Sequence, residues 1–553
     1  MASLSWICCE AKLPFLRKIT FMHKNTIAIA IINVVDSSIS IFFITFAGAK
    51  VRIKNQTINI KYKKYRKMSK SDLKPAAVFE QFAKINTIPR PSKHEEKMIE
   101  YLRNWGESRG LSTTVDETGN VIIRKEATPG MEDRKTVIMQ SHMDMVCDKL
   151  VDVEFDFNND PIQTYVDGEW LKAKGTTLGA DDGIGCAIEL AILDADDIEH
   201  GPIECVFTRD EETGLSGAEG MKAGFMTGDY LINLDSEDEG EIFVSCAGGR
   251  NTQAKFTFQR QAAAEGSFFI KGSLKGLVGG HSGDDINKKR ANAIKILARF
   301  LFNEMRKYEG VCLAQFHSGK LHNAIPRDGE FIIAVPNDVK ENVRADWNVF
   351  ASEVEDEFHV TDTQMQFAME STDAETVIEP AIAKKFVWAV QAVDNGIYAI
   401  CQDEALGGMV ETSSNIASVH TSEEEINILS SQRSNVMSNL DNMCHTIQAT
   451  FELAGAEAIS SDGYPAWKMR ADSKLTELVV DTYKQLFKKD PIVRGIHAGL
   501  ECGLFSERYP QLDMVSFGPT LRFVHTPDER LHIPTVQMVW DHLKLILKNI
   551  PGK

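Results

Sequence analysis

Three short apolar runs in this chain end in the same kind of residue. TVIMQS runs into His142-Met-Asp144, CVFTR runs into Asp210-Glu211-Glu212, and YLINL runs into Asp235. A fourth acidic turn, GTTLGADDGIG at 175–185, puts Asp181 and Asp182 at the start of a helical pattern over 184–195. In a parallel α/β sheet, ligands gather beyond the carboxyl ends of the strands. His142, Glu211, Glu212 and Asp235 are therefore expected to converge. Imidazole together with carboxylates suits zinc or a related divalent ion. One histidine is too few for two closed sites. The closing segment FVHTPDERLHIP at 523–534 offers His525 and His532 as a second. Each cluster alone has an ordinary reading, as a solvated turn or a helix cap. Solvated charges do not need apolar strands aimed at them, and four such clusters in order point to a metal centre.

The elements that must hold these residues follow from the pattern around them. Residues 72–107 read as two helices separated by a turn at Pro89 and Pro91. Short apolar runs then alternate with helical segments, which predicts an α/β domain with a mostly parallel central sheet. Near 250 the texture changes. AKFTFQR, GSFFIKGSLKG, EFIIAVP and INILSSQRS alternate with two long helical patterns, as in an α+β domain. After YPAWK at 464–468 the α/β texture returns and closes on an amphipathic helix, TVQMVWDHLKLIL. The expected organisation is a catalytic domain, 68–250 and 463–553, interrupted by an inserted α+β lid at 251–462. No internal repeat is visible. The length of 553 residues suits two to four domains.

Charge divides the chain differently. Residues 1–67 carry twelve Lys or Arg against two acids, Glu10 and Asp36, so a head of +10 precedes a body of −28 and the whole carries −18. An acidic body argues against a nucleic-acid binder, which needs basic surface for phosphates. Residues 26–49 are apolar and long enough for a membrane span, but Asp36 and three serines interrupt them. MSKSDLKPAAVFEQF at 68–82 reads as an ordinary protein start, so residues 1–67 are a doubtful N-terminal extension and a membrane role is not expected. None of the ten cysteines has CxxC spacing, which suits reduced thiols in the cytoplasm.

The motifs SHMDMV, GADDGIG, TRDEETG, NLDSE, GGHSG, HNAIP and VHTPDE, in that order, resemble the co-catalytic zinc exopeptidase family. That family holds aminoacylases, carboxypeptidase G-type enzymes, peptidase T and carnosine-type dipeptidases. SCAGGR, GLVGGHSGDDIN and IHAGLECGLF resemble its bacterial aminoacyl-histidine dipeptidase branch in particular. The resemblance runs from about residue 72 to the end. It implies that His142 and Asp235 bind one metal, that Glu212 and His525 bind the other, and that Asp181 bridges both across a cis Asp181–Asp182 bond. It makes Asp144 the acid that orients His142, and Glu211 the general base. His281 becomes a lid residue that reaches a neighbouring subunit's site, and Asn323 and Arg433 become substrate-binding groups. His525 has the family's His-x-x-x-Glu spacing, with Glu529, and His532 lacks it.

The resemblance thus implies a cytoplasmic homodimeric metallodipeptidase acting on Xaa-His and other small peptides. Its cofactors would be two divalent metal ions, zinc first, with cobalt or manganese as substitutes. Within the family the alternative is a carboxypeptidase or an N-acyl amino acid deacylase. Outside it, the alternative is a metal-stabilised interaction protein without catalysis, for which the acid at Glu211 would have no use.

Overall fold

Strands covered on both faces read as unbroken apolar runs. Val137–His142, Ile203–Thr208, Tyr230–Asn233 and Asp513–Ser516 are buried along their whole lengths. The computed structural model describes residues 7–8, 16–23, 26–35, 38–47, 50–59, 73–402, 406 and 408–553. In it these four strands are neighbours and run parallel. They form the centre of an eight-stranded sheet. Glu241–Cys246 and Ile492–Ile496 extend one edge; Val121–Lys125 and Ser112–Val115 extend the other, antiparallel. The fold is therefore α/β, with a mostly parallel sheet at its heart.

The register of the central strands places the candidate residues. Thr208 lies opposite His142, and Asn233 opposite Gln140. The turns that leave these strands, carrying Asp144, Asp210–Glu212 and Asp235, therefore emerge at one end of the sheet. The helix Ala180–Asp194 lies against Val137–His142, and its residues from Gly183 to Leu193 are buried. A helix apolar all round is one packed on every side. Its first turn is not helical: Asp181 and Asp182 have ψ of 112° and 34°, and the peptide bond between them is cis.

A second sheet, of nine antiparallel strands, is built from residues between Gly248 and Ser460. It consists of two units with the same connectivity. The first runs strand Ser267–Lys275, helix Ala293–Lys307, strands Cys312–Ser318 and Gly329–Pro336, helix Lys340–Glu357, strand Gln366–Ser371. The second runs strand Gly248–Thr257, helix Pro380–Ala392, strands Val410–Thr421 and Glu425–Ser434, helix Met437–Leu453, strand Glu457–Ser460. Both units order their strands fourth, first, third, second, and they join edge to edge through their second strands. At the junction His317 stands opposite His420 and Ser318 opposite Val419. The first unit is inserted in the second, through paired strands Arg260–Ala262 and Thr376–Ile378. The sequence shows no repeat because what recurs is the path of the chain, not its residues.

One apolar core lies between this sheet and its four helices. Phe300 packs at 4.8 Å from Trp347 and 5.8 Å from Phe331, and Phe256 at 6.1 Å from Phe386, so the core spans both units. A buried phenylalanine cut to alanine in such a core costs about 3–5 kcal/mol.

The residues up to Ser69 and those from Lys70 onward form separate units. In the first, Leu16–His23, Thr26–Val35, Ser38–Ala47 and Lys50–Asn59 pair in sequence as an antiparallel meander. Residues 60–67 of the basic head lie outside the described residues. Among the described residues, no helix is long and apolar enough to cross a membrane.

Candidate metal centre

His142 is the last residue of its strand and is 1% exposed. Its Nε2 lies 3.1 Å from Oδ1 of Asp181 and 3.5 Å from Oδ1 of Asp235. On the other side, His525 Nε2 lies 3.0 Å from Oδ2 of Asp181 and 2.9 Å from Oε2 of Glu212. The two oxygens of Asp181 thus serve two different pairs, one His142–Asp235 and the other Glu212–His525. All five residues assigned to metals from sequence meet here. Among the described residues, His142, Asp181 and Glu212 bring three ligand atoms within 4.8 Å of one another. His532 stands elsewhere. It pairs with Trp170 in a small four-stranded sheet, their rings 4.9 Å apart.

The donor set fits divalent cations. Three carboxylates share one enclosed space, where like charges repel and lose hydration. Burial pushes Asp235 up to about 7, with Asp181 adding to the rise against the pull of His142. Burial would also raise Asp181, but hydrogen bonds with His142 and His525 hold it well below the usual carboxylate range. Glu212 Oε1 is buried without a hydrogen-bond partner. Two imidazoles, three carboxylates and an orphaned oxygen make a ligand set for ions of the zinc type.

Asp144 ties this cluster to its surroundings. Its Oδ1 lies 3.3 Å from His142 Nδ1 and accepts the Glu211 amide at 3.1 Å. Its Oδ2 accepts from Ser92 Oγ at 2.8 Å and from the Glu212 amide at 3.3 Å. One buried carboxylate therefore fixes the imidazole and also sets the turn that carries Glu211 and Glu212. Outer carboxylates of this kind orient metal-binding histidines. Burial raises Glu211 well above the ordinary range, and Glu212, Asp235 and Glu501 push the same way against His142.

Two further supports were not assigned from the sequence. Glu529 is 2% exposed and accepts from the amides of Leu178, Gly179, Ala180 and Asp181 at 2.7, 3.0, 2.8 and 3.3 Å. Only its spacing from His525 had marked it. Arg90, 1% exposed, donates to the carbonyls of Met143, Asp144 and Gly179. Gly179 has φ +64°, and a Cβ there would stand 2.5 Å from the Arg90 guanidinium. The turn that aims Asp181 is thus held by an arginine and a glutamate. Behind it, Glu501 accepts from Gln140 Nε2 at 2.6 Å and from Thr208 Oγ1 at 2.7 Å.

The three residues assigned to the inserted sheet also meet. His281 Nε2 lies 3.4 Å from Arg433 Nη2, and the Asn323 carbonyl accepts from the Ser282 amide at 2.8 Å. The amides of Gly283 and Asp284 donate to His281 Nδ1, which leaves the proton on Nε2. Burial, then the charge of Arg433, pushes His281 down to about 4, so it is neutral at pH 7. Arg433 also donates to Tyr464 Oη at 2.7 Å.

The chain belongs to peptidase family M20/M25/M40, whose model matches residues 138–549. It is a peptidase. It is 41% identical over 484 residues to the cytosol non-specific dipeptidase of Escherichia coli K12, covering 87% of this chain and 99% of that protein. The crystal structure of aminoacylhistidine dipeptidase from Vibrio alginolyticus is similar at 43% identity, with a TM-score of 0.77 over 88% of this chain and 99% of that one. Aminopeptidase PepT from Bacillus cereus shares the fold at 16% identity and a TM-score of 0.50, over 86% of this chain and 99% of that one.

Proposed function

We propose that this protein hydrolyses unblocked dipeptides, Xaa-His among them, with two divalent metal ions, zinc first and cobalt or manganese as substitutes. The observation that carries the reading is the division of Asp181 between His142–Asp235 and Glu212–His525, with Glu211 next to Glu212 in the turn whose amides Asp144 accepts. His142 and Asp235 would hold one ion, Glu212 and His525 the other, and Asp181 would bridge. Ions so held supply Lewis acidity and make water nucleophilic near neutral pH.

The rest of the reaction falls to the chain's own side chains. Glu211 binds no ion in this assignment, so its carboxylate is free to take the proton of the attacking water and pass it to the leaving amine. Asp144 holds the turn that carries Glu211 by accepting its backbone amide. His281, neutral and protonated on Nε2, donates to the scissile carbonyl oxygen as charge develops there. Arg433 and Asn323 take the substrate's carboxylate.

The proposed organisation is a catalytic domain, 68–250 with 463–553, carrying a lid at 251–462. The nine-stranded sheet of 248–460 supports that division. A cytoplasmic location is proposed from the eight free cysteines among the described residues and from the name of the Escherichia coli relative. A homodimer is proposed from the family resemblance.

The test is a panel of Xaa-His dipeptides, other dipeptides, tripeptides and N-acetyl amino acids offered to metal-reconstituted protein. Free dipeptides should be cleaved fastest. Preference for tripeptides or for N-acetylated substrates would replace the dipeptidase with a carboxypeptidase or a deacylase.

A further inference from the structure

We propose that His317 and His420 form a binding site for one divalent transition-metal ion, of the copper or zinc type, on the open face of the nine-stranded sheet. The site shares no residue with the carboxylate cluster and stands whatever reaction that cluster performs.

The placement follows from the strands. Successive residues of a strand point to opposite faces. In Cys312–Ser318, Phe316 and Ser318 are buried on the side of the apolar core, where Phe316 packs 5.6 Å from Phe386. His317 lies between them and faces the other way, half-buried. In Val410–Thr421, Val419 and Thr421 are buried and His420 between them is exposed. The two strands pair with His317 directly opposite His420. Directly opposite residues of an antiparallel pair share a face, with Cβ atoms about 4.5–5.5 Å apart. Side-chain bonds at this junction are made by the neighbours: Thr421 Oγ1 donates to the Phe316 carbonyl at 3.1 Å, and Ser318 Oγ to the Asp328 carbonyl at 2.6 Å. Among the described residues neither imidazole takes part in one.

The geometry suits a shared ion. A zinc-type ion that takes one nitrogen from each ring at about 2.1 Å, in a tetrahedral arrangement, sets the ring centroids about 5 Å apart. Here they are 5.8 Å apart and tilted by 37°. A small turn of the rings about their Cβ–Cγ bonds closes the difference. A metal takes the neutral imidazole. Burial, then the charge of His420, pushes His317 below its ordinary value, with Glu330 pulling the other way. Glu330 lies opposite His317 on the next strand, its carboxylate 2.8 Å from Lys271 Nζ, and brings negative charge to the same row. Beside His420 an open hollow of about 590 Å³, lined by Lys255, Asn427 and Glu457 among others, leaves room for the waters that complete the ion's shell. The two strands belong to different units of the sheet, so the ion would pin one unit to the other.

The test titrates chelator-stripped protein with copper(II), which binds a given nitrogen site more tightly than zinc or nickel does. Wild type should bind one more copper per chain than His317→Ala or His420→Asn. Either variant leaves the ion a single imidazole, and the affinity of this site should fall about 10²-fold or more. The difference between wild-type and variant electron paramagnetic resonance spectra should show coupling to two nitrogens. Each ion of the carboxylate cluster has one imidazole in the assignment above, so its signal differs in kind. Equal copper uptake by wild type and either variant, or a difference signal with one nitrogen, would overturn the proposal.

A second measurement needs no variant. Diethylpyrocarbonate acylates neutral imidazoles, and mass spectrometry locates the modified peptides. Copper should protect His317 and His420 together, over the same range of concentration. Protection of one ring alone, or of neither, would overturn the proposal.

Discussion

Glu529 holds the turn that presents Asp181. Its two carboxylate oxygens accept four consecutive amides, the last being that of Asp181 itself. Asp181 can face two ligand pairs only while that turn is kept in place. Burial and the nearby Asp181 push Glu529 up to about 7 against the amide donors.

Glu529→Gln should therefore loosen both ions without unfolding the chain. The amide nitrogen it introduces would face two backbone donors in place of an acceptor. Losses of about 10–100-fold in metal affinity are typical when such outer partners are removed. Competition titration against a chelator measures it; affinity equal to wild type would show that the turn holds without Glu529.

Glu211→Gln should keep both ions and lose turnover. The substitution removes the proton carrier and leaves the Asp144 bond to the backbone amide in place. General base catalysis is worth about 10²–10⁴ in rate. Metal analysis with steady-state kinetics checks both parts. A fall below about tenfold with full metal content would move the base elsewhere.

The strand-end pattern made His142, Glu212 and Asp235 legible from the sequence, because burial along a strand and a charge at its end are both written locally. The family spacing favoured His525 and left His532 as a competitor; in the fold the two stand apart, one facing Asp181 and the other packed on Trp170. Arg90 was not legible. Its partners are backbone carbonyls at 143, 144 and 179, and no residue type at those positions announces an acceptor. Tyr464 was read only as part of the segment where the α/β texture resumes; its bond to Arg433 crosses 31 residues. The doubled lid was invisible for a similar reason, since one unit interrupts the other and only the strand order repeats.

His542 should make stability fall in mild acid. It is 3% exposed, bonded to the Val479 carbonyl, and packed on Tyr483 and Phe517. Burial pushes it down to about 4 despite that carbonyl. A depressed histidine stays neutral in the fold while the unfolded chain binds a proton. Its contribution is therefore complete above the unfolded value near 6.5 and is lost as pH falls toward 4. Linkage puts the loss between pH 7 and pH 5 at about 2 kcal/mol. Denaturant melts of wild type and His542→Leu at the two pH values measure it. The variant should lose less between them; equal losses would remove His542 from the account.

A chain that starts at Met68 should keep its activity. The metal ligands, their supports and the lid residues all lie beyond that point, and the unit that ends at Ser69 is separate. Matched kinetics of the long and short forms check this, and a large loss in the short form would give residues 1–67 a working part.

The central claim is that one bridged pair of ions drives the hydrolysis of dipeptides. The direct measurement is the rate on an unblocked dipeptide as zinc is added back to chelator-stripped protein. The account predicts no turnover without metal and a rate that stops rising at two ions per chain. Undiminished turnover in the stripped protein, or none in protein holding two ions, would contradict it.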